Sequence, residues 1–158
     1  MIPEAELIRK ELILRNLDLP DSVLLTRKSL LRWTCLSLGL ISPKETRDKA
    51  LLIYDSLFTL IFSKKESPTT LEIQAHIKEK TTVLFSEKII RYHLNRLIAL
   101  GFLQRKGLNY SINPNPKSEH RNSLKESFNA WLREPLVKDL DNIENALEKM
   151  QKLYEGSK

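Results

Sequence analysis

Lys88, Arg91, Tyr92, Asn95 and Arg96 lie in a stretch where Ile90, Leu94, Leu97 and Leu100 recur at intervals of three and four residues. That spacing belongs to a helix with one apolar face. The apolar set points inward, and Lys88, Arg91, Tyr92, Asn95 and, in part, Arg96 lie on or beside the outward stripe. These residue types suit the reading of duplex DNA. An Arg fork matches guanine, an Asn amide matches adenine, and Lys or Tyr holds phosphate oxygens. Arg105 and Lys106 follow a few residues on, suitably placed for a neighbouring phosphate or the minor groove. A merely solvated helix face carries the same residue types, and each single position is open to that reading. Ile89 falls on the outward side, where it could meet a thymine methyl or pack against its own domain. His93 is read as packing at the edge of the core rather than as a titrating switch.

Other chemistries lack their residues. His76, His93, His120 and Cys35 show no spacing that would gather three or four ligands at one metal ion. Cys35 is the only cysteine, which excludes an intramolecular disulfide, and its Leu and Trp neighbours make it an inert buried thiol. Four glycines in all leave no phosphate-cradling loop. Glu144 and Glu148 read as the solvated face of a helix. No catalytic set emerges, so the expectation is a protein that is not an enzyme and needs no metal or cofactor.

The elements that position the basic stripe follow from the punctuation around it. In a chain of 158 residues, Ser42-Pro43-Lys44-Glu45 offers a capping box with proline at the first helical position. The segment after it, up to Phe62, is apolar almost all round and needs burial on more than one side. Thr69-Thr70-Leu71-Glu72 is a second capping box, Ser86 an N-cap, and Gly101 a stop. Two short alternating runs then flank Lys106-Gly107-Leu108, the pattern of a β-hairpin closed by Asn113-Pro114-Asn115-Pro116. Upstream, residues 3–16 carry Leu7, Ile8, Leu12 and Leu14 on a broad apolar face, which predicts an amphipathic helix. A second helix is predicted from about Thr26 to Gly39.

Charge concentrates in the same place. The net charge is +6. Within residues 78–106, Lys78, Lys80, Lys88, Arg91, Arg96, Arg105 and Lys106 face only Glu79 and Glu87, and seven against two leaves +5. A local basic excess on an otherwise balanced chain is the footprint of a polyanion binder. The longest uncharged stretch, residues 33–43, is far short of the roughly 18 apolar residues that a membrane span needs. The acidic start lacks the positive charge of a secretory leader. The expectation is a soluble cytoplasmic protein with no membrane partner.

The predicted order is buried helix, short capped helix, turn, second capped helix, hairpin. It resembles the winged helix-turn-helix superfamily, and within it the small prokaryotic transcriptional regulators of the ArsR and MarR type. The likeness rests on Thr70-Leu71-Glu72-Ile73, on the run from Arg91-Tyr92-His93-Leu94 through Leu100-Gly101-Phe102-Leu103, and on a wing at residues 104–112. It covers roughly residues 45–113. The resemblance implies a mainly α fold with a small β-hairpin wing, and double-stranded DNA as partner, bound through Lys88, Arg91, Tyr92, Asn95, Arg96, Arg105 and Lys106.

Beyond the wing, Leu136, Leu140, Ile143, Leu147, Met150 and Tyr154 fall at intervals of 4, 3, 4, 3 and 4, the seam of a heptad pattern. Fewer than three heptads must pack on their own domain or on a partner copy, and a homodimer through this seam, the favoured reading, would give a single-helix reader a second recognition helix. Three parts are therefore expected: an N-terminal helical extension (1–41), the winged helix-turn-helix domain (42–116) and C-terminal dimerisation helices (117–158). The function read from the sequence is that of a dimeric, sequence-specific transcriptional regulator. The alternative is a winged-helix adaptor that binds another protein and no DNA.

Overall fold

The Thr26 hydroxyl accepts a hydrogen bond from the Ser29 backbone N–H at 3.1 Å and so starts helix α1, Arg27–Ser37. The computed structural model that contains it describes residues 3–44 and 49–157. Gly39, at φ +71°, turns the chain away after α1, and a side chain there would stand 2.7 Å from the Ile13 carbonyl. Helix α2, Lys49–Phe58, widens into a π-helical turn at Thr59–Ser63. Ile53, Tyr54, Leu57 and Ile61 are completely buried along it, as its all-round apolarity requires. The predicted capping box before α2 ends on Glu45, outside the described residues. Next come α3, Thr70–Thr81, α4, Glu87–Leu100, and a two-stranded antiparallel hairpin of β1, Leu103–Lys106, and β2, Asn109–Ile112. The chain finishes with α5, Leu124–Phe128, a π-helical turn at Asn129–Arg133 and the long α6, Glu134–Glu155.

The molecule is thus mainly helical with one small hairpin. Its core runs from Cys35 and Leu40 through α2, α3 and α4 to Tyr110 and Leu132. Residues from all three parts expected from the sequence enter that core. Residues 113–123 are tied down as well. The Asn113 amide donates to the Gly101 carbonyl at 3.0 Å, and the Trp131 indole N–H donates to the Pro114 carbonyl at 3.0 Å.

The N-terminal helix predicted over residues 3–16 does not form. Pro3–Leu7 makes a short 3-10 turn and residues 8–20 run as an irregular strap, followed by a second 3-10 turn at Asp21–Leu25. The Arg15 N–H donates to the Ser37 carbonyl at 2.9 Å, and its guanidinium donates to the carbonyls of Leu36 and Ile41. These tertiary bonds need an open backbone, and a lone helix of that length is marginal in water. Pro135 stands in the first turn of α6. The backbone stays right-handed helical from Phe128 to Glu134, and the π turn opens it just ahead of the proline ring. Among the described residues no helix is long and apolar enough to cross a membrane.

Candidate nucleic-acid interface

The candidate interface is built on α3, the turn after it and α4. Thr69 and Glu72 form the predicted reciprocal cap of α3: the Thr69 hydroxyl accepts from the Glu72 N–H at 3.2 Å, and the Glu72 carboxylate accepts from the Thr69 N–H at 3.3 Å. Thr82 ends α3 in the left-handed region, at φ +64°. The Gln74 amide then donates to the Phe85 carbonyl at 2.7 Å, and the Phe85 ring is buried, so the turn is clamped at both levels. Ser86 caps α4 by accepting from the Ile89 N–H at 3.2 Å. Gln74 carries no sequence signal for this clamp, since a glutamine in an amphipathic helix reads as solvated.

Ile90, Leu94, Leu97 and Leu100 fill the core, as their spacing predicts, which fixes what α4 shows to solvent. Lys88, Tyr92 and Asn95 are exposed on one stripe, Tyr92 at 60%. Arg91 lies at the edge of the stripe, half-exposed, with its guanidinium 3.7 Å from the Glu87 carboxylate one turn earlier. Such a surface pair holds its members weakly, leaving Arg91 able to turn to another acceptor. Ile89 is partly buried against the core, and Tyr54 donates to the His93 carbonyl at 3.0 Å while its ring meets the His93 ring edge-on.

Arg96 is different. Its guanidinium donates to the carbonyls of Gly39 and Leu40, both at 2.6 Å, and thereby fastens α4 to the end of α1. It is a clamp within the fold, because the carbonyls left over after α1 need donors and a guanidinium supplies two at once. On the hairpin, Arg105 lies opposite Tyr110; its guanidinium sits 5.5 Å from the centre of that ring, and its Nε donates to the Gly107 carbonyl at 2.9 Å. Lys106 is exposed beside the turn. The loop before α3 borders the hairpin: the Tyr110 N–H donates to the Pro68 carbonyl at 2.8 Å and the Asn109 amide to the Ser67 carbonyl at 2.6 Å.

The structure therefore brings Lys88, Arg91, Tyr92 and Asn95 together on α4, keeps Arg105 and Lys106 on the adjoining hairpin, and turns Arg96 inward. Lys78 and Lys80, exposed at the end of α3, add charge beside the turn. Among the described residues no group of three or more His, Cys, Asp or Glu is placed to hold a metal ion. Comparison of the chain with protein-family models, with curated proteins and with solved structures returned no match.

Proposed function

We propose that this chain is a winged helix-turn-helix protein that binds double-stranded DNA as a homodimer and regulates transcription. The observation that carries the reading is the outward stripe of Lys88, Arg91, Tyr92 and Asn95 on a helix held by a capped partner helix and a clamped turn. A helix of 14 residues with its apolar face buried in its own domain is what the major groove admits, and its outward side chains offer the donors that base edges accept. The hairpin that follows α4, bordered by the Ser67-Pro68 backbone, supports the winged-helix reading of the fold. The unburied seam of α6 supports the dimer. A cytoplasmic location goes with this function.

A second reading, a protein-binding adaptor, has its own observation. Leu71, Leu84 and Leu108 are exposed on α3, its turn and the hairpin tip, with Leu108 at 65%. Apolar groups there suit a protein surface better than a phosphate backbone. Selection of sites from random duplex DNA separates the two. Enrichment of a two-fold symmetric motif, with binding that weakens steeply as salt rises, supports the regulator. Failure of the folded protein to retain any duplex at low salt overturns it and leaves the adaptor.

A further inference from the structure

A hollow of about 420 Å³ opens between α1, α2, α5 and the exit of α4, within the size range of small-molecule sites. Its walls are apolar. Leu31, Trp33 and Cys35 come from α1 and Phe58 from α2, while Phe102 and Phe128 face each other as stacked rings 6.0 Å apart. Apart from the exposed Thr34 hydroxyl, the polar side chains of these α1 and α2 walls already have partners. The Trp33 indole N–H donates to the Asp18 carbonyl at 2.7 Å, the Tyr54 hydroxyl to the His93 carbonyl, and the Ser37 hydroxyl to the Arg15 carbonyl at 3.2 Å. Burial pushes the Cys35 thiol up to about 12, so it brings no charge at neutral pH.

What remains is one charged group. Lys125 lines the hollow from the first turn of α5, exposed and with no ion pair among the described residues. A second hollow of about 240 Å³ shares Leu31, Phe58 and Leu124 with the first and runs on past Phe62, its far side edged by the Arg27–Asp55 pair at 3.5 Å. Apolar walls, room that runs on past one chamber and, with Arg27 paired to Asp55, a single unpaired cation at the border define an elongated amphiphile with one negative end. We propose that this hollow binds a medium-chain aliphatic carboxylate, its chain against Trp33 and Phe128 and its carboxylate at Lys125. The site is independent of the DNA-binding reading, and either can fail without the other.

Calorimetric titration of the full chain with dodecanoate, below its micellar concentration, is the test. One molecule should bind per chain. Dodecyltrimethylammonium, equal in chain length and opposite in charge, should bind about tenfold more weakly, the scale of attraction gained and repulsion avoided at an exposed lysine. Lys125→Glu should remove that preference. Thr34→Trp, an exposed position of α1 on the lining, should block dodecanoate while the circular dichroism of the chain stays unchanged. Absence of saturable dodecanoate binding, equal binding of the two amphiphiles by the unaltered chain, or binding that persists in a folded Thr34→Trp variant would overturn the assignment.

Discussion

Asn95 looks out from α4 and Arg96, the next residue, is drawn in, and different measurements should register them. Asn95→Ala removes an amide from the exposed stripe. It should weaken binding to the preferred duplex by about 1 to 3 kcal/mol and relax the choice at one base pair, read by competition with single-base variants of the site. Arg96→Ala leaves the Gly39 and Leu40 carbonyls without their charged donor. It should lower unfolding stability by about 1.5 to 3 kcal/mol in denaturant titration, with base preference retained. Arg91 stands between them, because its link to Glu87 is a weak surface pair that a guanine could displace. Cys35 gives a pH signature. Burial raises its pKa from the usual value of 9.0 to about 12, against a smaller opposing pull from Arg96. Below pH 9 the thiol is neutral in both the folded and the unfolded chain, and its contribution is complete. As pH rises toward 12 the unfolded chain releases this proton first, so folding loses stability across that window. The urea midpoint of the natural chain should therefore fall more steeply above pH 9 than that of Cys35→Ala; parallel curves would show that the thiol is not desolvated.

Two helix ends in the candidate interface make opposite predictions at the scale of the element. Thr82 closes α3 at φ +64°, a region that β-branched residues enter only under strain, and its side chain is exposed. Thr82→Gly should stabilise the fold by about 0.5 to 1 kcal/mol, the relief outweighing the extra freedom of the unfolded chain. Gly101 closes α4 at φ +101°, and a Cβ there would lie 2.7 Å from the Trp131 Cβ. Gly101→Ala should cost about 2 kcal/mol or more, since strain and collision add. Thermal melts of both variants check the signs. These ends also mark what the chain discloses locally. Thr69, Ser86 and Gly101 announce the bounds of α3 and α4 because capping is a transaction among residues three or four apart. The apolar spacing of α4 names its buried face for the same reason. The strap at residues 8–20 had a helical pattern too, yet its bonds go to Ser37, Leu36 and Ile41, and a pattern cannot show partners so far along the chain. The inward bonds of Arg96 are hidden from the pattern on the same grounds, their acceptors lying 56 and 57 residues away. The hollow beside Trp33 needs four elements to close around it, and no single segment signals it.

At the scale of the whole molecule, α6 is the element without a home. Its 22 residues extend about 33 Å, and none of them is buried. Leu136 is half-covered near the body, but Leu140, Ile143, Leu147, Met150 and Tyr154 are open to solvent, with Ile143 at 56%. Val137 and Leu153 widen the stripe beyond the six positions that the heptad spacing picked out. An apolar band of this length marks an interaction surface. A second copy of α6 fits it, because the band runs at heptad spacing and is flanked by Lys and Glu side chains such as the Glu148 to Lys152 pair at 3.0 Å. Covering each large side chain contributes on the order of 1.5 to 3 kcal/mol before the entropy of association is set against it, which is sufficient for a stable pair if the bands meet. Light scattering should give twice the mass of one chain. Ile143→Asp should halve it, and the resulting monomer should unfold with the stability of an intact core, because Ile143 is exposed on its own chain and a surface change there shifts stability by about 0.5 kcal/mol at most. Loss of the dimer together with loss of the fold would mean that the two chains share one core. A natural chain that scatters as a monomer would leave the seam without a second copy, and the selected DNA site should then be a single, asymmetric half-site.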